Sequence, residues 1–119
     1  MGVAVEDLWM WRLYRGDELV GEIYDTGVWD MFWLEGRFLP RGSFESDLRA
    51  LFVDASEGLA SGDFERGARA SRTILESLSM TDPQGAGVSL FNIVIEADRA
   101  RFRLKVADMD DRAGGSDAL

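Results

Sequence analysis

The apolar residues of this chain change their spacing twice, and this change limits the possible folds more than any other feature of the sequence. Near both ends, apolar and aromatic residues alternate with polar ones in short runs separated by turn residues. In the middle of the chain they recur every three or four positions. The first spacing is typical of β-strands and the second of amphipathic α-helices. The sequence therefore predicts strands, then helices, then strands again.

Three strands are predicted in the N-terminal part. Residues 8–15 and 18–25 are rich in aromatic and branched side chains. The Gly-Asp pair at residues 16–17 suits a two-residue hairpin turn between them. The Thr-Gly pair at residues 26–27 predicts a second turn, followed by a third strand over residues 28–38. Short turns between consecutive strands indicate an antiparallel meander.

Two helices are predicted in the middle of the chain. The first begins after Ser43, a residue type that favours the N-cap position. Its apolar face consists of Phe44, Leu48, Leu51 and Phe52. The second begins at Asp63 and ends before Pro83. Its predicted apolar face consists of Phe64, Ala68, Ser71, Leu75 and Leu78.

A hairpin is predicted near the C-terminus, with strands over residues 88–96 and 99–106. Pairing Glu96 with Arg99 across a two-residue turn places apolar residues opposite one another on one face. The predicted pairs on this face are Ile95 with Ala100, Ile93 with Phe102, and Phe91 with Leu104. The predicted pairs on the other face are Val94 with Arg101, Asn92 with Arg103, and Leu90 with Lys105.

The order βββ-αα-ββ predicts an α+β fold, an antiparallel sheet of about five strands with two helices packed on one face. A length of 119 residues fits a single domain, which we place at residues 1–107. Residues 108–119 are polar and glycine-rich, so we expect a flexible acidic tail. In size and composition the chain resembles many short bacterial α+β proteins, and this resemblance implies no particular activity.

The chain contains no His and no Cys. This composition excludes imidazole bases, Ser-His-Asp triads, thiol nucleophiles and most zinc sites. No phosphate-binding glycine loop is present either. We therefore expect a non-catalytic protein with no catalytic residue, no metal and no cofactor. The remaining catalytic equipment would be paired carboxylates around the meander, namely Glu22, Asp25, Asp30 and Glu35.

The chain carries 22 acidic and 13 basic side chains, a net charge of −9. This charge argues against nucleic acid and anionic membranes as partners and is compatible with a basic protein partner. The N-terminus lacks the pattern of a signal peptide. No apolar run approaches the roughly 20 residues of a membrane span. We therefore expect a cytoplasmic location.

All four tryptophans fall between residues 9 and 33. Alternation places Trp9, Trp11 and Tyr24 on one face of the first hairpin and Ile23 on the other, so that both faces of the meander are apolar. Two helices can cover only one face of the sheet, so the apolar side chains on the other face stay uncovered. The residues predicted to form a partner- or ligand-binding site are Trp9, Trp11, Tyr24, Trp29, Trp33, Arg101 and Arg103.

Three explanations for this surface stay open. The sheet curls and the tryptophan rings fill its interior, two copies form a homodimer, or the surface binds another partner or ligand. Arg101 and Arg103 either pair with carboxylates such as Glu22 or Glu35, or hold an anionic group against the aromatic rings. The leading hypothesis is a protein-interaction module, for example an acidic inhibitor or immunity-type protein. The alternative is a small-molecule-binding domain or carboxylate-based enzyme with a pocket between sheet and helices.

Overall fold

Seven strands and two helices make up the part of the chain that the computed structural model describes. This part covers residues 9–30 and 33–105, without the side chains of residues 25–26 and 28–30. The strands are β1 Met10–Arg15, β2 Glu18–Asp30, β3 Trp33–Pro40, β4 Ser79–Thr81, β5 Gly87–Val88, β6 Leu90–Glu96 and β7 Arg99–Leu104. The helices are α1 Arg49–Ser61 and α2 Phe64–Ser77, and a π-helical turn, Phe44–Leu48, leads into α1.

The strands form one antiparallel sheet in the order β5-β4-β1-β2-β3-β7-β6. β5 and β6 lie at opposite edges of this sheet, although only Ser89 separates them in the chain. The sheet is therefore curled until it is nearly a barrel. The predicted α+β class and antiparallel sheet are confirmed, but the predicted number of about five strands is wrong. β4 and β5 contain three and two residues, which is too short to show an alternating pattern.

The core lies between the inner face of the curled sheet and the helices. Phe44 makes ring contacts with Phe38 of β3, at 4.7 Å between centroids, and with Phe52 of α1, at 5.6 Å. The other fully buried residues of this core include Leu13, Val20, Ile23, Leu48, Ile74, Met80, Phe102 and Leu104. These contacts confirm the predicted apolar face of the first helix, because Phe44, Leu48 and Phe52 are all buried.

A β-bulge in the first hairpin overturns the predicted assignment of faces. Tyr14 pairs with Leu19 as expected, but Leu13 pairs with Gly21, so that Val20 is the extra residue. Beyond the bulge the register is shifted by one residue. Trp11 therefore lies beside Ile23 on the inner face, and Tyr24 lies on the outer face.

The predicted turn at residues 26–27 is also wrong, because β2 continues to Asp30. Asp25 pairs with Gly36 and Gly27 with Glu35, so that residue 26 is the extra residue of a second irregularity. Gly27 has a φ of 122°, a backbone conformation that residues with a side chain rarely adopt. The Thr-Gly pair marks this irregularity in a long strand.

The C-terminal hairpin has the predicted register from Glu96–Arg99 to Ile93–Phe102. The register then shifts, and Leu90 instead of Phe91 lies opposite Leu104. The predicted pairs Phe91–Leu104 and Leu90–Lys105 are therefore wrong. The shift leaves Phe91 at the surface.

The second helix begins after Asp63, whose side chain accepts a hydrogen bond from the Arg66 amide at 3.2 Å, as predicted. Its predicted apolar face is wrong at the start of the helix, because Phe64 is 65% exposed and Ala68 is exposed, whereas Leu75 and Leu78 pack against the core as predicted. The buried residues of α2 are Gly67, Ala70 and Ile74. A close crossing decides this orientation, since Gly58 of α1 packs directly against the backbone of Gly67.

Ser43 is not a side-chain N-cap, because its hydroxyl group serves a different contact. The carboxylate of Glu18 accepts hydrogen bonds from the Ser43 amide at 2.8 Å and from its hydroxyl group at 2.9 Å. Arg15 donates to Asp47 at 3.0 Å. Together these contacts attach the first hairpin to the start of the helical region.

These hydrogen bonds predict a loss of stability in acid. The Ser43 hydroxyl and amide groups lower the pKa of Glu18, and Arg15 lowers the pKa of Asp47. A carboxyl group with a lowered pKa stabilises the fold above its unfolded-state pKa, and this stabilisation is lost as the pH falls through the folded-state value. The free energy of unfolding should therefore fall between roughly pH 5 and pH 3. Glu18→Gln should reduce this dependence, as measured by urea denaturation.

Ser43→Ala is the matched variant, because it removes one donor and keeps the Glu18 carboxylate. Its pH dependence should lie between those of the wild type and Glu18→Gln. Identical slopes for all three proteins would contradict this role of the Glu18 carboxylate.

The helix crossing predicts that two similar substitutions have different effects. A Cβ atom at Gly58 would lie 2.5 Å from the Gly67 nitrogen, whereas one at Gly67 would lie 3.2 Å from the Ala55 oxygen. Gly58→Ala should lower the free energy of unfolding by about 1–3 kcal/mol, because the helices must separate. Gly67→Ala should cost less or stabilise, since alanine favours a helix by about 1 kcal/mol. Urea denaturation of both variants tests this, and an equal or larger loss for Gly67→Ala would contradict it.

Candidate interaction site

The structure separates the predicted site residues. Trp11 is 5% exposed and packs edge-on against Phe102, with 5.0 Å between ring centroids, so it belongs to the core. Trp9 is 56% exposed. Tyr24 and Trp33 are half-buried on the outer face of the sheet. Trp29 lies in β2, but its side chain is outside the described residues.

Arg101 and Arg103 lie on the outer face of β7, in a row that begins with Arg99. The carboxylate of Glu35 on β3 accepts hydrogen bonds from Arg99, at 3.1 Å, and from Arg101, at 3.4 Å. This confirms the predicted pairing of Arg101 with Glu35. Glu22 instead pairs with Arg41, at 2.8 Å.

Sequence reasoning missed Phe91, an aromatic residue beside this row. The register shift in β6 leaves Phe91 55% exposed, and the Arg103 guanidinium group lies 4.9 Å from the centre of its ring. Leu34 pairs with Phe102, so Trp33 and Arg103 are the next residues of the two strands on the outer face. Trp33, Phe91, Arg99, Arg101 and Arg103 form a surface that we call the outer patch. The run of arginines at alternate positions was the only sequence signal for it.

Much of the net negative charge of the chain belongs to residues whose side chains are outside the described part. Eight of the 22 acidic side chains, but only one of the 13 basic ones, lie outside the residues whose side chains are described. The eight are Glu6, Asp7, Asp25, Asp30, Asp108, Asp110, Asp111 and Asp117. The described side chains are therefore close to balanced in charge, and those of the outer patch include three arginines beside Glu35.

A groove separates α1 from β6, the last strand of the sheet. Two hollows of about 360 and 230 Å³ lie along it and share Phe52, Ser56 and Glu96. The helix side of the larger hollow is formed by small and apolar residues, including Ala55, Leu59 and Ala60. The strand side is formed by Asn92, Ile93, Val94 and Glu96, with Arg101 of β7 beside them.

The groove is a pocket between sheet and helices, the location that the alternative hypothesis requires. Glu96 is the one carboxylate among the described residues that line its larger hollow, whereas Glu57 and Glu96 both line the smaller one. General acid–base chemistry by paired carboxylates requires two such groups in position. Glu57 and Glu96 are the pair that the alternative hypothesis would use.

The described part of the chain was searched for a group of metal-binding side chains and for a membrane-spanning helix. Within residues 9–30 and 33–105, no three potential metal-binding side chains are grouped closely enough to hold an ion. No helix among these residues is long and apolar enough to span a membrane. Comparisons with protein-family models, curated proteins and solved structures find no significant match to this chain.

The different positions of two neighbouring tryptophans predict different effects on stability. Trp11→Ala should lower the free energy of unfolding by about 3–5 kcal/mol, because it empties a site inside the core. Trp9→Ala should change it by less than about 0.5 kcal/mol, because this side chain is mostly in solvent. Urea denaturation measures both values. A large loss for Trp9→Ala would show that this residue packs against the rest of the chain.

Proposed function

We propose that this protein is a non-catalytic interaction module that binds another protein through the outer patch. The observation that carries this proposal is the exposed Phe91 ring with the Arg103 guanidinium group stacked on it. Aromatic residues and arginine are enriched at the centres of protein interfaces. A guanidinium group stacked on an aromatic ring joins an apolar face to a positive charge, a combination that suits a protein interface.

The charges of the patch favour an acidic region of the partner. Three arginines stand in this row, and Glu35 is the described carboxylate that pairs with Arg99 and Arg101. A homodimer that brought two outer patches face to face would place these arginines against one another, and like charges oppose such a contact. The inhibitor or immunity-type version, with a basic partner, would instead depend on the acidic segments outside the described residues.

The experiment compares the wild type with Arg103→Glu and with Arg72→Glu. Arg72 is exposed on α2, outside the outer patch, and supplies the same change of charge as a control. Light scattering after gel filtration comes first and should give the mass of a monomer, near 13.3 kDa. Each protein is then immobilised and exposed to a cell extract of the organism that encodes it. A partner should bind the wild type and Arg72→Glu but be lost with Arg103→Glu.

Binding should weaken as salt is added, because charge pairs contribute to it. Phe91→Ser should also weaken it while leaving the charge unchanged. Equal capture of a partner by the wild type, Arg103→Glu and Arg72→Glu would overturn the proposal. The absence of any captured protein would also overturn it. A doubled mass that Arg103→Glu returns to the monomer would assign the patch to a homodimer instead. A basic partner that is retained by Arg103→Glu would favour the inhibitor version.

A further inference from the structure

The edge of β6 that faces α1 is open to a further strand. β6 is the last strand of the sheet, and within the described residues its only paired neighbour is β7. An open strand edge presents a row of N–H and C=O groups to any chain that can lie alongside it. The question is which groups these are and whether α1 leaves room for a chain.

The hairpin register identifies the open groups. Ala97, in the turn, has a φ of 54°, and Glu96 pairs with Arg99 across this two-residue turn. The two residues that flank such a turn exchange backbone hydrogen bonds with each other. Along an antiparallel ladder, pairs of this kind alternate with pairs that exchange no hydrogen bonds. Val94 and Arg101 are therefore the next hydrogen-bonded pair. Ile93 and Ile95 direct their backbone groups away from β7, towards the groove.

A side chain already takes the place of a strand at this edge. The Ile93 amide donates a hydrogen bond to the Asn92 Oδ1 atom at 2.8 Å. This contact agrees with the register, because an amide that faced β7 would be used in the ladder. A carbonyl group of an added strand could replace the Asn92 oxygen with no loss of hydrogen bonds.

The groove offers apolar contacts on the inner side and polar contacts on the outer side. Phe52 and Ile93 line its inner part, and Leu59, which is 59% exposed, stands on the wall formed by α1. Asn92 and Arg101 lie towards the outer face of the sheet. Side chains of an added strand alternate between these two sides, so its sequence should alternate between apolar and polar or acidic residues.

We propose that the groove between α1 and β6 binds an extended segment of another protein, which joins the sheet as an eighth strand beside β6. β6 has seven residues and spans about 20 Å, enough to pair with roughly five or six residues of such a segment. Backbone hydrogen bonds supply affinity in this mode, and pockets for alternate side chains supply specificity. A single chain needs about 5 Å of width beside β6.

A second copy of this protein fits the groove poorly. Its own β6 would bring β7 along on the opposite edge, on the side where residues of α1 line the groove. A segment without a sheet attached brings no such strand. The proposed occupant is therefore a flexible or terminal segment, and it contacts residues other than Phe91 and Arg103.

The test selects peptides on the intact protein. A displayed library of random octapeptides is selected on the wild type and counter-selected on Leu59→Glu. Leu59→Glu places a charge on the apolar wall of the groove at an exposed helix position. Phe64→Glu is the matched control, because Phe64 is an exposed apolar residue at the start of α2 and does not line the groove. The best peptide is then synthesised and titrated into ¹⁵N-labelled protein.

The enriched peptides should alternate apolar with polar or acidic residues. The amide signals of Ile93 and Ile95 should shift on titration, and their hydrogen exchange should slow. The affinity should fall at least tenfold with Leu59→Glu and stay within twofold with Phe64→Glu. Two N-methylated peptides are compared, one methylated at the amides of its odd-numbered residues and one at those of its even-numbered residues. Because only alternate amides of an added strand face β6, one of these peptides should lose binding and the other should keep it.

Three results would overturn the inference. The first is a selection in which no peptide is enriched over the counter-selection. The second is a peptide that binds equally well after N-methylation at either phase, which would mean that no strand is added. The third is a concentration-dependent doubling of the mass that Leu59→Glu prevents, which would assign the groove to a second copy. Because Arg103→Glu leaves the groove unchanged, failure of this test and failure of the proposed function of the outer patch are distinguishable.

Discussion

A single residue, Ser89, joins the strands at the two opposite edges of the sheet. Because β5 ends at Val88 and β6 begins at Leu90, the two edges cannot lie further apart than this connection allows. The Lys105 amide, directly after β7, donates to the Ser89 carbonyl oxygen at 2.9 Å and holds the connection against the end of β7. This short connection forces the sheet to curl, and the curl encloses the inner face of the sheet. Trp11 is buried because the sheet curls around it.

The curl also determines where binding can occur. A flat sheet would leave one whole face to solvent, whereas this sheet directs its inner side chains towards α1 and α2. Two of the described surfaces that remain are the outer patch and the groove beside β6. Arg101 belongs to both, because it pairs with Glu35 on the outer face and also lines the groove. The two proposed sites are therefore neighbours on opposite sides of the same pair of strands.

The sequence predicted the features that depend on neighbouring residues. The amphipathic stripe of the first helix, the Asp63 cap and the hairpin register around Glu96 and Arg99 are confirmed. The face of a strand beyond a bulge was not predictable, since one extra residue at Val20 reverses the faces assigned to the following residues of β2, including Ile23 and Tyr24. The same holds for Phe91, which the alternating pattern placed in the core.

Other features depend on contacts between distant parts of the chain. Gly58 and Gly67 determine which face of α2 is buried, but their approach depends on the crossing of two helices. The groove could not be predicted because nothing in the residues of β6 shows that it is the last strand. That position follows from the insertion of β7 between β3 and β6. The candidate site residues were predicted in part, since Arg101 and Arg103 lie together at the surface while Trp11 does not.

The Asn92 side chain has a consequence for how the protein behaves at high concentration. Open strand edges promote fibril growth, because each added molecule presents the same edge to the next. Here the side chain satisfies the Ile93 amide, so that one backbone donor of this edge is already used. The edge therefore offers another copy one donor fewer than an unprotected strand would. A single polar side chain can in this way weaken the pairing of identical edges without changing the fold.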